Sequence, residues 1–143
     1  MILYCDTSAL IKRYVEEEGS EGISKLWERA SAVATSVVAF AETVATFNRK
    51  FREGVLSTRE YRITVEEFKE DYGQLVLVPL NRDLDKSIEN ILKRHPLRGF
   101  DAIHLASALV FPLSETPPLM FACFDSALNQ AARKVGLKVA IGL

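Results

Sequence analysis

Apolar residues in this chain follow two spacings, and their alternation predicts the fold class. Five solid apolar runs, "ILYC" (2–5), "AVAT" (32–35), "LVLVPL" (75–80), "LMFACF" (119–124) and "KVAIGL" (138–143), read as buried strands. Helical spacing fills the gaps. Leu10, Ile11, Tyr14 and Val15 predict a helix over "SALIKRYVEE" (8–17). Ile23, Leu26, Trp27 and Ala30 predict a second, starting near Ser20. "SVVAFAETVATFNRKF" (36–51) reads as a long helix ended by Gly54. "STRE" (57–60) is a capping-box signature, with a helix running on toward Tyr72. "NRDLDKSIENILKRH" (81–95) is a helix stopped by Pro96. "RGFDAIHLASAL" (98–109) is the next, apolar on nearly every side from Ala102 on and ended near Pro112. After the loop "SETPP", "SALNQAARKV" (126–135) is a helix with Gly136 as its C-cap. Strands alternating with helices predict an α/β domain over 1–143, its sheet mainly parallel and its helices on both faces.

Composition adds little to this picture. At 143 residues and 48% apolar, the chain suits one well-filled core. A net charge of −1 carries no whole-protein signal for nucleic acid or membrane, so any such partner has to be read from local clusters. Cys5 and Cys123 make no disulfide framework and are expected as buried reduced thiols. The start "MILYCDTSAL" is a poor signal peptide, and no uncharged apolar run nears the ~20 residues of a membrane helix. The expectation is a cytoplasmic protein.

Four acids break into apolar segments: Asp6, Glu42, Asp101 and Asp125. A short echo links two of them. "ILYCDTSAL" and "MFACFDSAL" both run from apolar strand to aspartate to a Ser-Ala-Leu helix start. Each aspartate then sits at the carboxyl end of a strand, the edge where parallel sheets bind ligands. Glu42 is the one charged residue between Arg29 and Arg49. Each acid also has a plain structural reading. Asp6, Asp101 and Asp125 suit helix N-caps, and Glu42 suits an exposed position or an ion pair with a core arginine. Capping leaves a carboxylate oxygen spare, so the readings are compatible. If the acids meet, they repel. At an effective dielectric of about 20, two unit charges about 4 Å apart cost roughly 4 kcal/mol. Raised pKa values or a bound cation resolve that, and an all-oxygen donor set favours Mg²⁺ or Mn²⁺, ions suited to phosphoryl transfer.

"YCDTSAL", the lone Glu42, "LRGFDAIHLASAL" and "CFDSALNQAARKVGL" occur in an order that resembles the PIN domain (PilT N-terminus), and within it the VapC-type toxins of toxin–antitoxin pairs. The resemblance covers the whole chain. It implies a sheet ordered 3-2-1-4-5 and a Mg²⁺- or Mn²⁺-dependent endoribonuclease that leaves a 5′-phosphate and a 3′-hydroxyl. Asp6, Glu42, Asp101 and Asp125 match the catalytic, metal-holding cluster, with Glu42 acting directly or through water. Ser8 matches a small hydroxyl position near the metal. The resemblance further implies an RNA substrate, a small antitoxin covering the groove, and a homodimer. Cys123 departs from the pattern: the position two before Asp125 is often Thr or Ser, which puts a supporting hydrogen bond in doubt. Asp101 is read as a ligand with room to cap its helix as well.

Other residues keep two readings. His104 suits either a general base or a packed helix histidine with one hydrogen bond. Arg49, Lys50, Arg52, Arg59 and Arg62, and Lys93, Arg94 and Arg98 before Asp101, suit RNA guidance or a solvated surface. Phe40, Phe47 and Phe51 suit core or partner face. Walker, Gly-x-Gly-x-x-Gly and Gly-x-Ser-x-Gly motifs are missing, and two cysteines with two scattered histidines make no structural zinc site. Two rivals stay open: a catalytically silent PIN-like binding module, and a phospho-acceptor receiver domain. The receiver would need a lysine at the end of its last strand, whereas Lys138 begins it.

Overall fold

The computed structural model describes residues 1–140. Five strands, β1 (Ile2–Cys5), β2 (Ala32–Ser36), β3 (Val76–Val78), β4 (Leu119–Ala122) and β5 (Lys138–Val139), form one sheet in the order 3-2-1-4-5. All pairings are parallel. Helices α1 (Thr7–Ile11), α2 (Ser20–Arg29), α3 (Ala39–Arg52) and α4 (Thr58–Tyr72) connect β1 to β3. Helices α5 (Arg82–Arg94), α6 (Gly99–Ala108) and α7 (Ser126–Lys134) complete the connections to β4 and β5. The expected fold class and strand order are both borne out. A receiver domain is not: that fold orders its strands 2-1-3-4-5.

Strand order decides which face each helix covers. From β1 the chain steps through β2 to β3, then returns to the far side of β1 for β4 and β5. Right-handed crossovers in opposite directions put their helices on opposite faces. Accordingly Leu3 and Cys5 of β1 pack in one core with Leu10, Ile23, Phe47 and Phe68, while Tyr4 between them packs in the other with Leu84, Leu105, Phe121 and Leu128. This is the period of two that a strand buried on both sides requires. The reversal opens a crevice at the carboxyl ends of β1 and β4, the place where open sheets of this kind bind ligands.

Local chemistry sets most helix ends. Ser57 and Glu60 form the reciprocal capping box, with Glu60 N–H on Ser57 Oγ at 3.1 Å and Ser57 N–H on Glu60 Oε1 at 3.0 Å. Asn81 caps α5 through Leu84 N–H at 2.9 Å. The first helix is shorter than its spacing predicts, ending at Ile11 instead of continuing to Glu17. Beyond it the chain tightens: Lys12, Arg13 and Tyr14 N–H reach the carbonyls three residues back at 3.2, 3.1 and 3.0 Å. Val15 is still buried and Tyr14 partly so, because that turn carries the Tyr14 ring between Trp27, Phe47 and Phe68. The third helix starts at Ala39 and not Ser36, since Ser36 extends β2. The third strand is only three residues long. The last spans two, and residues 141–143 of the expected run lie outside the described residues. Cys5 and Cys123 are buried free thiols, as expected.

Gly19 ties the turn after α1 to the edge of the sheet. Its φ is +92°, and a Cβ there would stand 2.5 Å from the Phe124 ring. Both the backbone strain and the ring contact oppose a side chain. Gly19→Ala is therefore expected to lower unfolding free energy by about 2 kcal/mol or more. Urea denaturation measures this, and Gly54→Ala is the comparison: it has φ +77° but open space around it, so it should lose less.

Candidate active site

Asp6 leaves β1 directly into α1. It is only 5% exposed. Its backbone N–H bonds to the Ala122 carbonyl of β4 at 3.1 Å, which fixes it at the crevice. One carboxylate oxygen, Oδ1, accepts from Ala9 N–H at 2.9 Å and from Ser8 Oγ at 2.7 Å. Asp6 is thus the N-cap its position predicts, and capping occupies one oxygen of two. Ser8 Oγ in turn accepts Phe124 N–H at 3.0 Å, joining the two strand ends. Burial raises the Asp6 pKa to about 6 against the opposing influence of His104, Ser8 and the Ala9 amide, and Asp101 pushes it the same way as burial.

Asp125 follows β4 and caps α7 through Leu128 N–H at 2.8 Å, again with one oxygen. The echo between the two strand–aspartate segments is therefore real in space, because β1 and β4 are parallel neighbours with Cys5 beside Ala122. Cys123 keeps a link to Asp125 despite lacking a hydroxyl. Its thiol is shared between the Asp125 carbonyl and Asn129 Oδ1, both at 3.3 Å, while Asn129 Nδ2 donates to the Cys123 carbonyl at 3.0 Å. Burial pushes the Cys123 thiol pKa well up; the charge of Asp6 adds to that push, the bond to the Asp125 carbonyl opposes it, and the charges of Asp125 and Asp101 add again. Asp6 and Asp125 thus leave the carboxyl ends of neighbouring strands.

Asp101 corrects one expectation. Helix α6 starts at Gly99 with Arg98 as N-cap, so Asp101 lies within the first turn and makes no cap bond. The helix starts three residues sooner than a cap at Asp101 would allow. Asp101 Oδ2 instead takes a long contact of 3.4 Å from Arg98 Nε, whose side chain is 83% exposed. Glu42 enters from α3. Its Oε1 accepts from Thr7 Oγ1 at 2.7 Å and from His104 Nε2 at 2.9 Å. Burial alone would raise its pKa, but the bonds from His104 and Thr7, with the charge of Arg98, hold it below the ordinary carboxylate value. The expected core arginine is not its partner.

His104 is the packed helix histidine of its second reading, 2% exposed, but with three polar partners in place of one: Tyr4, Thr7 and Glu42. Thr7 and Tyr4 were not legible as site residues. Thr7 lies between Asp6 and Ser8, which is its one signal; Tyr4 reads as a core strand residue. Of the basic candidates, Lys50 pairs with Glu17 and Lys93 with Glu89, while Arg49, Arg52, Arg59, Arg62 and Arg94 are exposed. Phe47 is core; Phe40 and Phe51 stay partly exposed.

Among the described residues, no three His, Cys, Asp or Glu side chains stand close enough to enclose one ion. The donor chemistry nevertheless fits a hard cation. Asp6 is a buried carboxylate with one oxygen outside its capping bonds and other acids beside it, and a cation offsets that cost. Cavities of about 280 and 400 Å³ lie elsewhere, one beside Tyr14 and Asp71 and one between α5 and α6, and none of the four acids lines either.

The PIN domain family model matches residues 3–133. The chain belongs to the PIN-domain family. Ribonuclease VapC45 of Mycobacterium tuberculosis is 30% identical over 139 residues, covering 97% of this PIN domain and 94% of the relative. Among solved structures, FitAcB from Neisseria gonorrhoeae superposes with a TM-score of 0.69 at 15% identity, covering 97% of this chain and 96% of the other. VapC20 of M. tuberculosis, a Sarcin-Ricin loop cleaving toxin, does so with 0.64 at 18% identity, covering 90% and 94%. These two likenesses show a shared fold. No helix among the described residues is long and apolar enough to cross a membrane.

The raised Asp6 pKa of this PIN domain has a sign that can be checked. The folded state holds the proton more tightly than the unfolded chain, so Asp6 favours folding most below about pH 4. That contribution is lost as pH rises through about 6. Asparagine keeps the cap but cannot ionise. In chelator, Asp6→Asn should gain stability over wild type between about pH 4 and 6, by at most about 3 kcal/mol at neutral pH. Urea melts across that range measure the gap, and a constant gap would contradict the burial argument.

Proposed function

We propose that this PIN domain is a VapC-type toxin: an endoribonuclease that uses Mg²⁺ or Mn²⁺ to hydrolyse RNA phosphodiesters in the cytoplasm, leaving a 5′-phosphate and a 3′-hydroxyl. One observation carries the reading. In a chain 30% identical to a VapC ribonuclease along nearly its whole length, a buried aspartate ends β1 at the crevice, and Asp125 follows the neighbouring β4. Asp6, Asp101 and Asp125 would hold the ion, with Glu42 contacting it directly or through water. When bound, the ion supplies positive charge against the scissile phosphate and makes water a better nucleophile at neutral pH.

The chain's own residues do the rest. Ser8 and the Ala9 amide hold one oxygen of Asp6, leaving the other for the ion. Asp125 is oriented in the same way by Leu128 N–H. Arg98 reaches solvent from a position next to Asp101, where its guanidinium can meet a phosphate and exchange it for the carboxylate. The exposed arginines of α3, α4 and α5 add positive potential for a polyanion. Partners follow from the same reading: a small antitoxin over the groove, and a second copy of the chain in a homodimer. Phe40, Phe51 and Ile63 leave apolar surface on α3 and α4 for a protein partner.

The test is cleavage of RNA by the purified protein with Mn²⁺, beside a chelator control and Asp6→Asn. Wild type should cut only with the metal, and Asp6→Asn should lose more than the roughly hundredfold that loss of an outer metal-site partner costs. Equal cleavage by the two proteins would overturn the assignment, and no cleavage by either would favour a silent binding module. Melting gives a second readout. In chelator Asp101→Asn should melt no lower than wild type, because it removes a like charge and no cap bond. Mg²⁺ should raise the wild-type midpoint more than the variant's.

A further inference from the structure

Behind Glu42 stands a hydrogen-bonded column that the nuclease reading does not itself require. It starts in the core at Tyr4, fully buried and stacked on Phe121 at 5.6 Å between ring centroids. The Tyr4 hydroxyl meets His104 Nδ1 at 3.0 Å. His104 Nε2 meets Glu42 Oε1 at 2.9 Å. A carboxylate only accepts, so Nε2 carries a proton and donates to Glu42, while Nδ1 shares a hydrogen bond with the tyrosine hydroxyl. Thr7 Oγ1, 3.2 Å from Nε2, donates to the same Glu42 oxygen at 2.7 Å. Four elements, β1, α1, α3 and α6, therefore converge on Oε1 and leave Oε2 outside these bonds.

We infer that His104, oriented by Tyr4 and assisted by Thr7, is a positioning residue that fixes the rotamer of Glu42 so that its second oxygen serves the acidic edge. The inference rests on the metal-dependent nuclease reading and assigns a role to residues that do not touch ion or substrate. Glutamate has three side-chain torsions, and Glu42 is only part-buried, so packing alone does not hold it. Two donors on one oxygen do. Partners of this kind set the orientation of metal-binding side chains, and their loss typically costs 10–100-fold in affinity or activity.

The experiment compares His104→Leu, His104→Gln, Thr7→Val and Thr7→Ser with wild type in the full-length chain. Mn²⁺ binding is measured by isothermal titration calorimetry, folding by thermal melts in chelator, and RNA cleavage as separate kcat and KM. Leucine fills the buried space without a donor but strands the Tyr4 hydroxyl, so His104→Leu should melt below wild type yet still fold, and should bind Mn²⁺ about 10–100-fold more weakly. Its kcat should fall by a similar factor with KM for RNA little changed. His104→Gln, whose amide N–H reaches the place of Nε2, and Thr7→Ser should recover most of the loss. Thr7→Val should reproduce part of it, and it decides the matter if His104→Leu does not fold. Wild-type Mn²⁺ affinity and kcat in folded His104→Leu, or in Thr7→Val where that variant decides, would overturn the inference while leaving the nuclease reading intact. Failure of wild type to bind Mn²⁺ or cut RNA would overturn both.

Discussion

A carboxylate sealed inside a protein is tolerable only if its charge is answered, and Asp6 imposes that condition on the whole carboxyl edge of the sheet. It is nearly inaccessible to water and has Asp101 close enough to oppose its ionisation. Hydrogen bonds from Ser8 and Ala9 answer part of the charge. They do not answer all of it, since the pKa still rises. The remainder is answered by holding a proton more tightly or by a cation, such as the one the proposed function places there.

Strand order creates the setting. Because β1 lies between β2 and β4, the loops after β1 and β4 diverge to opposite faces and leave the crevice that Asp6 and Asp125 border. Ser8 then bridges the two loops by joining Asp6 to the Phe124 amide. Gly19 lets the turn after α1 lie against the Phe124 ring. The small residues around the acids thus transmit the rigidity of the sheet to groups that must be placed accurately.

The four acids are not held alike. Asp6 and Asp125 are fixed by cap bonds at the starts of their helices. Asp101 is placed by the first turn of an almost wholly buried helix and is otherwise lightly held, facing an exposed arginine. Glu42 is held from behind by a column that begins at a core tyrosine.

Much of this was legible in the sequence because it depends on neighbours along the chain. Apolar runs and helical spacing set the strand–helix alternation, and Ser57, Asn81, Asp6 and Asp125 declare helix starts through bonds spanning three residues. The order of the acids within those motifs was enough to suggest a resemblance to the PIN family. What the sequence left open depends on contacts between distant segments. The early end of α1 reflects a turn that buries Tyr14 against three other helices. The freedom of Asp101 from capping follows from where α6 packs and begins. The partnership of Glu42 with His104, 62 residues away, exists only because α3 and α6 meet at the same end of the sheet. Periodicity reports which side of an element faces inward; only packing decides which other element waits there.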